Sequence, residues 1–186
     1  MKKLILLGVG VLLLLGAALI GYTVLVGNKR SPRDTAEFNQ DGLAVKVVYC
    51  RPYKKGRLIF GEKAAGALVP YDTYWRLGAN AATSITFGQS VRFAGQPVSA
   101  GTYRMYAIPG ASTWKVVLNS ELDRWGAREP SHDKDVVTVE VPVTVAPSST
   151  EQFTIQIASQ SSGAPGGASL DLGWDTTLVR VPLAAN

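Results

Sequence analysis

The sequence predicts a mainly β protein, an antiparallel β-sandwich of about nine short strands preceded by one N-terminal transmembrane helix. Three observations support this prediction. From residue 43 onward, short β-branched or aromatic runs are separated by Gly, Pro, Asn and Ser turns. Only two places, residues 62–67 and 121–125, favour a helical turn. Residues 4–26 form an uncharged apolar run that is unlike the rest of the chain.

The apolar run is long enough to cross a bilayer. Its 23 residues would span about 34 Å as a helix, against about 30 Å for a hydrocarbon core. The competing interpretation is a cleaved secretory signal, but the apolar part of such a signal is about 7–15 residues long and ends at small residues. The short basic N-terminus favours a single-pass protein of the bacterial inner membrane, N-terminus inside and domain in the periplasm. Secretion after signal cleavage is the alternative.

A length of 186 residues suits one anchor and one domain. We predict an anchor over residues 1–27, a polar tether over 28–41, and the β-sandwich over 42–186. The tether prediction depends on the absence of any apolar period before residue 43. The first strand then begins with the alternation of Leu43, Val45, Val47 and Tyr49.

The remaining strands follow from the same alternation and from the turn residues between them. They are predicted at residues 83–87, 90–93, 102–108, 114–119, 137–145, 153–157, 170–174 and 177–181. Pro142 lacks an N–H, which indicates an edge or a bulge at that point. Residues 159–169 are rich in Gly and Ser and are predicted to form a loop.

Positive charge is concentrated in residues 49–83. This stretch contains six basic and two acidic residues, a net charge of +4, whereas the chain from Ser84 onward has a net charge of −2. Tyr and Trp residues are interleaved with the cations. Guanidinium groups hold carboxylates or phosphates through paired hydrogen bonds, and aromatic faces contact a ring or a sugar.

We therefore predict that this stretch binds a small anionic or carbohydrate ligand. The candidate polar residues are Arg51, Lys55, Arg57, Arg76 and Asn80, and the candidate walls are Tyr49, Tyr71 and Trp75. Two other hypotheses stay open. Arg76 would serve the fold by pairing with Asp72 or Glu62, or the basic surface would lie on anionic lipid. Nucleic acid is not an expected partner, because the charge excess is modest and the domain is predicted outside the cytoplasm.

No pattern of catalytic or metal-binding residues is evident. His132 is the only histidine and, between Ser131 and Asp133, is expected to be a solvated loop residue, since triad members usually come from separate elements. One His and one Cys exclude a soft zinc site, and the pairs Asp133 with Asp135 and Asp171 with Asp175 offer few oxygens for calcium. We predict no catalytic residue, no metal and no cofactor. Cys50 is expected to be a buried small hydrophobe.

Several runs in and beyond the basic stretch resemble a family of bacterial envelope proteins catalogued as domain of unknown function 2911. The runs are Tyr49-Cys50-Arg51-Pro52, Lys55-Gly56-Arg57, Ile59-Phe60-Gly61, Leu68-Val69-Pro70-Tyr71, residues 75–83, Ala100-Gly101-Thr102-Tyr103, Ile108-Pro109-Gly110, Trp125-Gly126, Asp135-Val136 and Gly173-Trp174. The resemblance covers about residues 43–182 and implies the fold and an envelope location, but no activity. The chain departs from the family at Cys50, Leu77 and Ala81, where the family usually has Ser, Thr and an acidic residue.

The most consistent interpretation is a membrane-anchored, non-enzymatic binding or structural module. The alternative is an envelope hydrolase that acts on a sugar or cell-wall substrate, with Asp72 or Asp175 brought to the same cleft. The two differ in what the cleft must contain. A hydrolase needs a pair of carboxylates, whereas a binding module needs only the basic and aromatic lining.

Overall fold

The computed structural model describes residues 10, 12–22, 30–122, 125–160 and 167–186, and most of them lie in β-strands. Eleven strands occur among the described residues: β1 (Arg33–Gln40), β2 (Leu43–Cys50), β3 (Phe60–Gly61), β4 (Val69–Pro70), β5 (Thr83–Phe87), β6 (Val91–Phe93), β7 (Gln96–Val98), β8 (Gly101–Ile108), β9 (Thr113–Asn119), β10 (Asp135–Ser159) and β11 (Gly167–Ala185). Two short 3₁₀ turns, Lys63–Ala65 and His132–Lys134, interrupt them. The mainly β prediction is confirmed.

Nine strands form one antiparallel ladder in the order β1-β2-β5-β8-β9-β10-β11-β6-β7, and β3 and β4 form a small parallel pair. β10 connects the two halves of the ladder. Its first part pairs with β9 as far as Pro142, and from Val143 onward it pairs with β11. Pro142 therefore lies where β10 changes partner, which agrees with its lack of an N–H to donate to a continuing ladder.

The two halves pack face to face around one apolar core, as in a β-sandwich. The alternation in β2 is confirmed, because Leu43, Val45 and Val47 are almost fully buried. Behind the strand ends, Trp75, Trp114, Phe153 and Trp174 form a cluster of aromatic side chains. Aromatic side chains bury the largest apolar areas and pack edge-to-face, so this cluster makes one end of the core rigid.

The second half of β10 is also joined to the chain that leaves β2. The Lys54 N–H donates to the Glu151 carbonyl at 2.7 Å, and the Phe153 N–H donates to the Pro52 carbonyl at 2.9 Å. Tyr49 reaches across the core and bonds the backbone of Ile155. These bonds fix the chain after β2 against the opposite half of the sandwich.

The predicted strands at 83–87, 102–108 and 114–119 agree with β5, β8 and β9 to within one residue. The last four predicted strands are in fact two long ones, because 137–145 and 153–157 both lie in β10 and 170–174 and 177–181 both lie in β11. The polar residues between the two parts of β10 shift the register of the ladder and do not reverse the chain. A bulge of this kind keeps a strand extended while it bends.

The predicted tether over residues 28–41 needs correction. Residues 33–40 form β1, which pairs along its whole length with β2, from Arg33 opposite Cys50 to Gln40 opposite Leu43. Asp41 and Gly42 turn the chain between the two strands with positive φ angles of 51° and 77°. β1 lies at the edge of the sheet and buries mainly Phe38, so its sequence lacks the apolar period on which the prediction relied.

Residues 12–22 of the predicted anchor are helical, and their large side chains are exposed. Within the described part of the chain, no helix has both the length and the apolarity required to cross a membrane. Residues 1–9, 11 and 23–29 lie outside the described residues. The turn predicted at 62–67 corresponds to the 3₁₀ turn Lys63–Ala65, whereas 123–124 of the predicted turn at 121–125 and 161–166 of the predicted loop are not described.

Candidate functional site

A cleft of about 670 Å³ opens at the aromatic end of the core. It is built mainly from the connection between β2 and β5, with contributions from the residues before β1 and from β11. We call it the basic cleft, because its lining includes four cationic side chains, three aromatic side chains and two polar ones: Arg30, Lys55, Arg57, Arg76, Tyr53, Trp75, Trp174, Ser31 and Asn80. No Asp or Glu occurs among its described lining residues.

A tight turn presents two of the cations. Lys55 and Gly56 adopt positive φ angles of 50° and 69°, and the Arg57 N–H closes the turn by donating to the Lys54 carbonyl at 3.1 Å. Lys54 faces away from the cleft, because its ammonium group pairs with Asp175 at 2.6 Å. The turn therefore separates neighbouring lysines into a structural one and one that lines the cleft.

The loop over residues 75–80 presents the third cation and the indole of Trp75. The backbone of Trp75 pairs with Ala107, and then Leu77, Gly78 and Asn80 take positive φ angles of 52°, 143° and 58°. A Cβ on Gly78 would lie 2.5 Å from the Cys50 carbonyl oxygen, so only glycine fits there. The Trp75 indole N–H donates to the Gly78 carbonyl at 3.2 Å, which holds the loop in shape.

Arg76 lies at the base of this loop, half-buried, and has no carboxylate within ion-pair distance among the described residues. The one hydrogen bond that its side chain makes to the described residues is long, 3.4 Å from Nη1 to the Asn80 carbonyl. Burial lowers the pKa of the Arg76 guanidinium, and the positive charge of Arg104 lowers it further. The hypothesised pairing of Arg76 with Asp72 or Glu62 is therefore wrong.

Arg57 and Lys55 also line the cleft without a described carboxylate partner for their side chains. The Arg57 guanidinium donates to the carbonyls of Lys54, at 2.9 Å, and of Tyr53. Like charges that share a cleft repel one another, and the repulsion is strongest where water is excluded. The arrangement of these groups therefore favours an anion in the cleft.

The aromatic wall is fixed before any ligand arrives. The Trp75 and Trp174 rings stack at 6.0 Å with an angle of 17° between their planes. Both side chains are at least nine-tenths buried, and Phe60 and Phe153 pack against them. A ligand ring would thus meet a small, rigid indole surface.

Three residues of the predicted site do not line the basic cleft. Arg51 donates to Asp34 at 3.0 Å, to the Thr154 hydroxyl at 2.8 Å and to the Phe153 carbonyl at 3.2 Å. Tyr49 is buried, with its hydroxyl bonded to the Ile155 carbonyl and N–H, and burial raises its pKa. The Tyr71 N–H donates to the Gly61 carbonyl at 2.9 Å. Lys55, Arg57, Trp75, Arg76 and Asn80 are the predicted residues that the fold brings together.

Sequence reasoning missed Arg30, Ser31, Tyr53 and Trp174 as lining residues. Arg30 precedes the basic stretch of residues 49–83, and Trp174 lies far along the chain from the other residues. Tyr53 lies within the basic stretch but is not among the predicted walls of the site. The run Gly173-Trp174, which the family resemblance includes, was the one signal that pointed to Trp174.

Asp72 and Asp175, the carboxylates that a hydrolase was expected to use, are not among the described lining residues of the basic cleft. Asp175 accepts from Lys54 and, at 2.7 Å, from the Ser149 hydroxyl, and the Lys54 and Ser149 bonds lower its pKa against the opposing effect of burial. Asp72 is absent from the described lining of the cleft. Among the described residues, no group of three or more His, Cys, Asp and Glu is placed to hold a metal ion.

His132 is exposed, as expected for a loop residue, but it is also held in a network. Its Nδ1 lies 3.1 Å from Asp135 and 3.0 Å from the Tyr106 hydroxyl, and its Nε2 lies 3.2 Å from Glu129. The hydrogen bond to Asp135 is the main cause of a raised pKa for His132. Cys50 is buried, as predicted, and burial raises the pKa of its thiol.

Comparisons with known proteins agree with the resemblance noted in the sequence. No curated protein and no solved structure is significantly similar to the chain. One family model matches, over residues 31–183, and it carries the description "Protein of unknown function (DUF2911)". That range includes all eleven strands except the end of β11, and it includes every described residue of the basic cleft except Arg30. The chain therefore belongs to this DUF2911 family.

Proposed function

We propose that this protein is a membrane-anchored protein of the bacterial envelope whose β-sandwich binds an anionic ligand carrying a ring or sugar, without catalysing a reaction. The observation that supports this most directly is the lining of the basic cleft, with four cations and no acidic side chain among the described residues. A purely structural cluster of that size would be expected to contain the carboxylates that neutralise it.

The chemistry of the lining suggests the class of ligand. Arg76 is partly removed from water and has no acidic partner among the described residues, so an anion beside it would restore the stabilisation that burial takes away. Arg57 and Lys55 stand at the exposed side, where they would attract the same charge. Phosphate and carboxylate groups suit these donors, and the indoles of Trp75 and Trp174 suit a flat ring or the apolar face of a sugar.

Hydrolysis is not proposed. The reaction needs two opposed carboxyl groups at the substrate, and neither Asp72 nor Asp175 is among the described lining of the cleft. The remaining hypothesis, that the basic stretch only stabilises the fold, applies to Arg51 and Tyr49, whose polar atoms are occupied by internal hydrogen bonds.

We further propose that residues 4–26 anchor the chain in the inner membrane, with the domain in the periplasm. Arg30 lines the cleft only four positions after the end of that run, which would put the cleft close to the membrane surface. Protease added outside intact spheroplasts should then digest the domain. Digestion only after lysis would contradict this orientation.

The ligand proposal can be tested by thermal unfolding of the full-length protein in a neutral detergent, followed by tryptophan fluorescence. Inorganic phosphate, sugar phosphates, dicarboxylates and cell-wall fragments would be added in turn. A ligand at one hundred times its Kd stabilises the folded state by about 2.7 kcal/mol, and this corresponds to a rise of about 5–10 °C in Tm for a chain of this size.

Matched arginine variants locate the site. Arg76→Gln and Arg57→Gln should abolish the rise, whereas Arg92→Gln should keep it. Arg92 is an exposed residue of β6 outside the basic cleft, and its side chain donates to the Gly95 carbonyl in the turn that follows β6. Repeating the titration on protein in nanodiscs of anionic or zwitterionic lipid distinguishes a lipid headgroup from a free ligand. A ligand rise that survives Arg76→Gln, or the absence of any rise, would contradict the proposal.

A further inference from the structure

A buried arginine lies on the outer face of the sheet, apart from the basic cleft. Arg104 is in β8, opposite Ser84 of β5 and Asn119 of β9. Its neighbours Tyr103 and Met105 face the core, so the Arg104 side chain points to the other face. Only 2% of Arg104 is exposed, because the chain after β9 covers it.

The Arg104 guanidinium is only partly satisfied. Its Nη2 donates to the Tyr74 hydroxyl and to the Arg128 carbonyl, both at 2.5 Å. Its Nε and Nη1 have no hydrogen-bond partner among the residues that the structure describes. No ion pair among the described residues includes Arg104. A buried charged donor left without a partner is strongly destabilising, so these N–H groups indicate a missing acceptor.

A pocket of about 270 Å³ lies beside this arginine. Its lining combines Arg104 with the apolar residues Ala81, Ala82 and Leu122 and with the hydroxyl-bearing residues Thr83, Ser84 and Thr102. Glu121 also lines it, and one of its carboxylate oxygens accepts from the Ser131 N–H at 3.1 Å. No described residue lines both this pocket and the basic cleft.

We propose that this pocket, the Arg104 pocket, binds the carboxylate of a small organic acid with a short apolar chain. The single positive charge of Arg104 matches one negative charge, and the carboxylate of Glu121 disfavours a dianion such as phosphate. The alanine methyls and Leu122 suit a short alkyl chain. Arg104 would donate through Nε or Nη1, since Nη2 is already occupied by Tyr74 and Arg128.

The test uses the full-length protein in a neutral detergent at constant sodium concentration. Chloride is replaced stepwise by acetate, propionate or butyrate while Tm is measured by tryptophan fluorescence. Each carboxylate should raise Tm in a saturable manner. Equal concentrations of methylammonium chloride, which has similar size but opposite charge, should not.

Variants connect that rise to the pocket. Ala81→Glu adds a carboxylate to the lining of the same pocket as Arg104, so it should raise Tm by itself and abolish the response to acetate. Arg104→Gln should also abolish the response. If that variant does not fold, the Ala81→Glu result alone tests the inference. Arg92→Gln, the exposed matched arginine, should respond like wild type.

Two results would overturn the inference. One is the absence of a carboxylate response in the wild-type protein. The other is a response that persists in Ala81→Glu, which would place the binding elsewhere.

Discussion

Replacing Arg51 should weaken the fold and leave the ligand site intact. Arg51 joins three parts of the chain, since its guanidinium bonds Asp34 in β1 and both Phe153 and Thr154 in β10. A hydrogen bond from a charged group contributes about 1.5–3 kcal/mol when well buried. The Arg51 side chain is 27% exposed, so values at the low end apply. Arg51 makes three such bonds, and Arg51→Gln would keep part of them. We therefore expect the free energy of unfolding to fall by about 2–3 kcal/mol, the value of one to two of these bonds at about 1.5 kcal/mol each, which lowers Tm by about 4–12 °C.

Thermal unfolding followed by tryptophan fluorescence measures this loss, with Arg76→Gln as the comparison. Among the described residues, the Arg76 side chain makes one long hydrogen bond. Its replacement should therefore change the free energy of unfolding by less than about 1 kcal/mol, and Tm by less than about 2–4 °C. The two variants should therefore behave in opposite ways: Arg51→Gln destabilised but ligand-responsive, Arg76→Gln stable but unresponsive. An Arg51→Gln protein that melts like wild type, or that stays folded and loses the response, would refute the assignment of Arg51 to the fold.

Three further predictions follow from the geometry of the site and its surroundings. Gly78→Ala should lower the free energy of unfolding by about 3 kcal/mol or more, because its Cβ would lie 2.5 Å from the Cys50 carbonyl oxygen at a φ of 143°. Gly56→Ala is the milder control in the same melting assay, because a Cβ at Gly56 would meet open space. Tyr49→Phe should cost about 1–3 kcal/mol, because it leaves the buried Ile155 N–H without its acceptor at 2.9 Å; an unchanged midpoint in urea would contradict this. His132 has a folded-state pKa above its ordinary value of 6.5. Protonated His132 therefore stabilises the fold fully below pH 6.5, and this stabilisation is lost as the pH rises through the folded-state pKa. His132→Gln should remove that part of the pH dependence of Tm, and an identical Tm–pH curve would show that the network with Asp135 and Glu129 adds nothing.

Much of the strand pattern could be predicted because alternation reports burial on one face. β5 buries alternate side chains along its whole length. β8 and β9 are instead buried on both faces over Arg104–Ala107 and Val116–Asn119, and their β-branched and aromatic runs between turn residues placed them to within one residue. β1 could not be found in this way. It lies at the sheet edge with most of its side chains in water, and its place is fixed by backbone pairing with β2, which leaves no mark on its composition.

The candidate site was predicted in part, and the errors share one cause. Charge density located the connection between β2 and β5, where Lys55, Arg57 and Arg76 do line a common cleft. Charge density could not show which cations are already paired with acceptors inside the fold. Arg51 is separated from Thr154 by 103 positions, and only the packing of the two halves of the sandwich brings these residues together. Trp174 was missed for the same reason.

The 25-residue strand β10 has a consequence for how the molecule comes apart. Because the same strand pairs with β9 at one end and with β11 at the other, neither half of the sandwich can open without disturbing the hydrogen bonds of the other. Units of local opening normally follow supersecondary motifs, but here the motif runs through the whole domain. The protein should therefore unfold as one cooperative unit, with the slowest-exchanging amides of β9 and β11 showing the same free energy of opening.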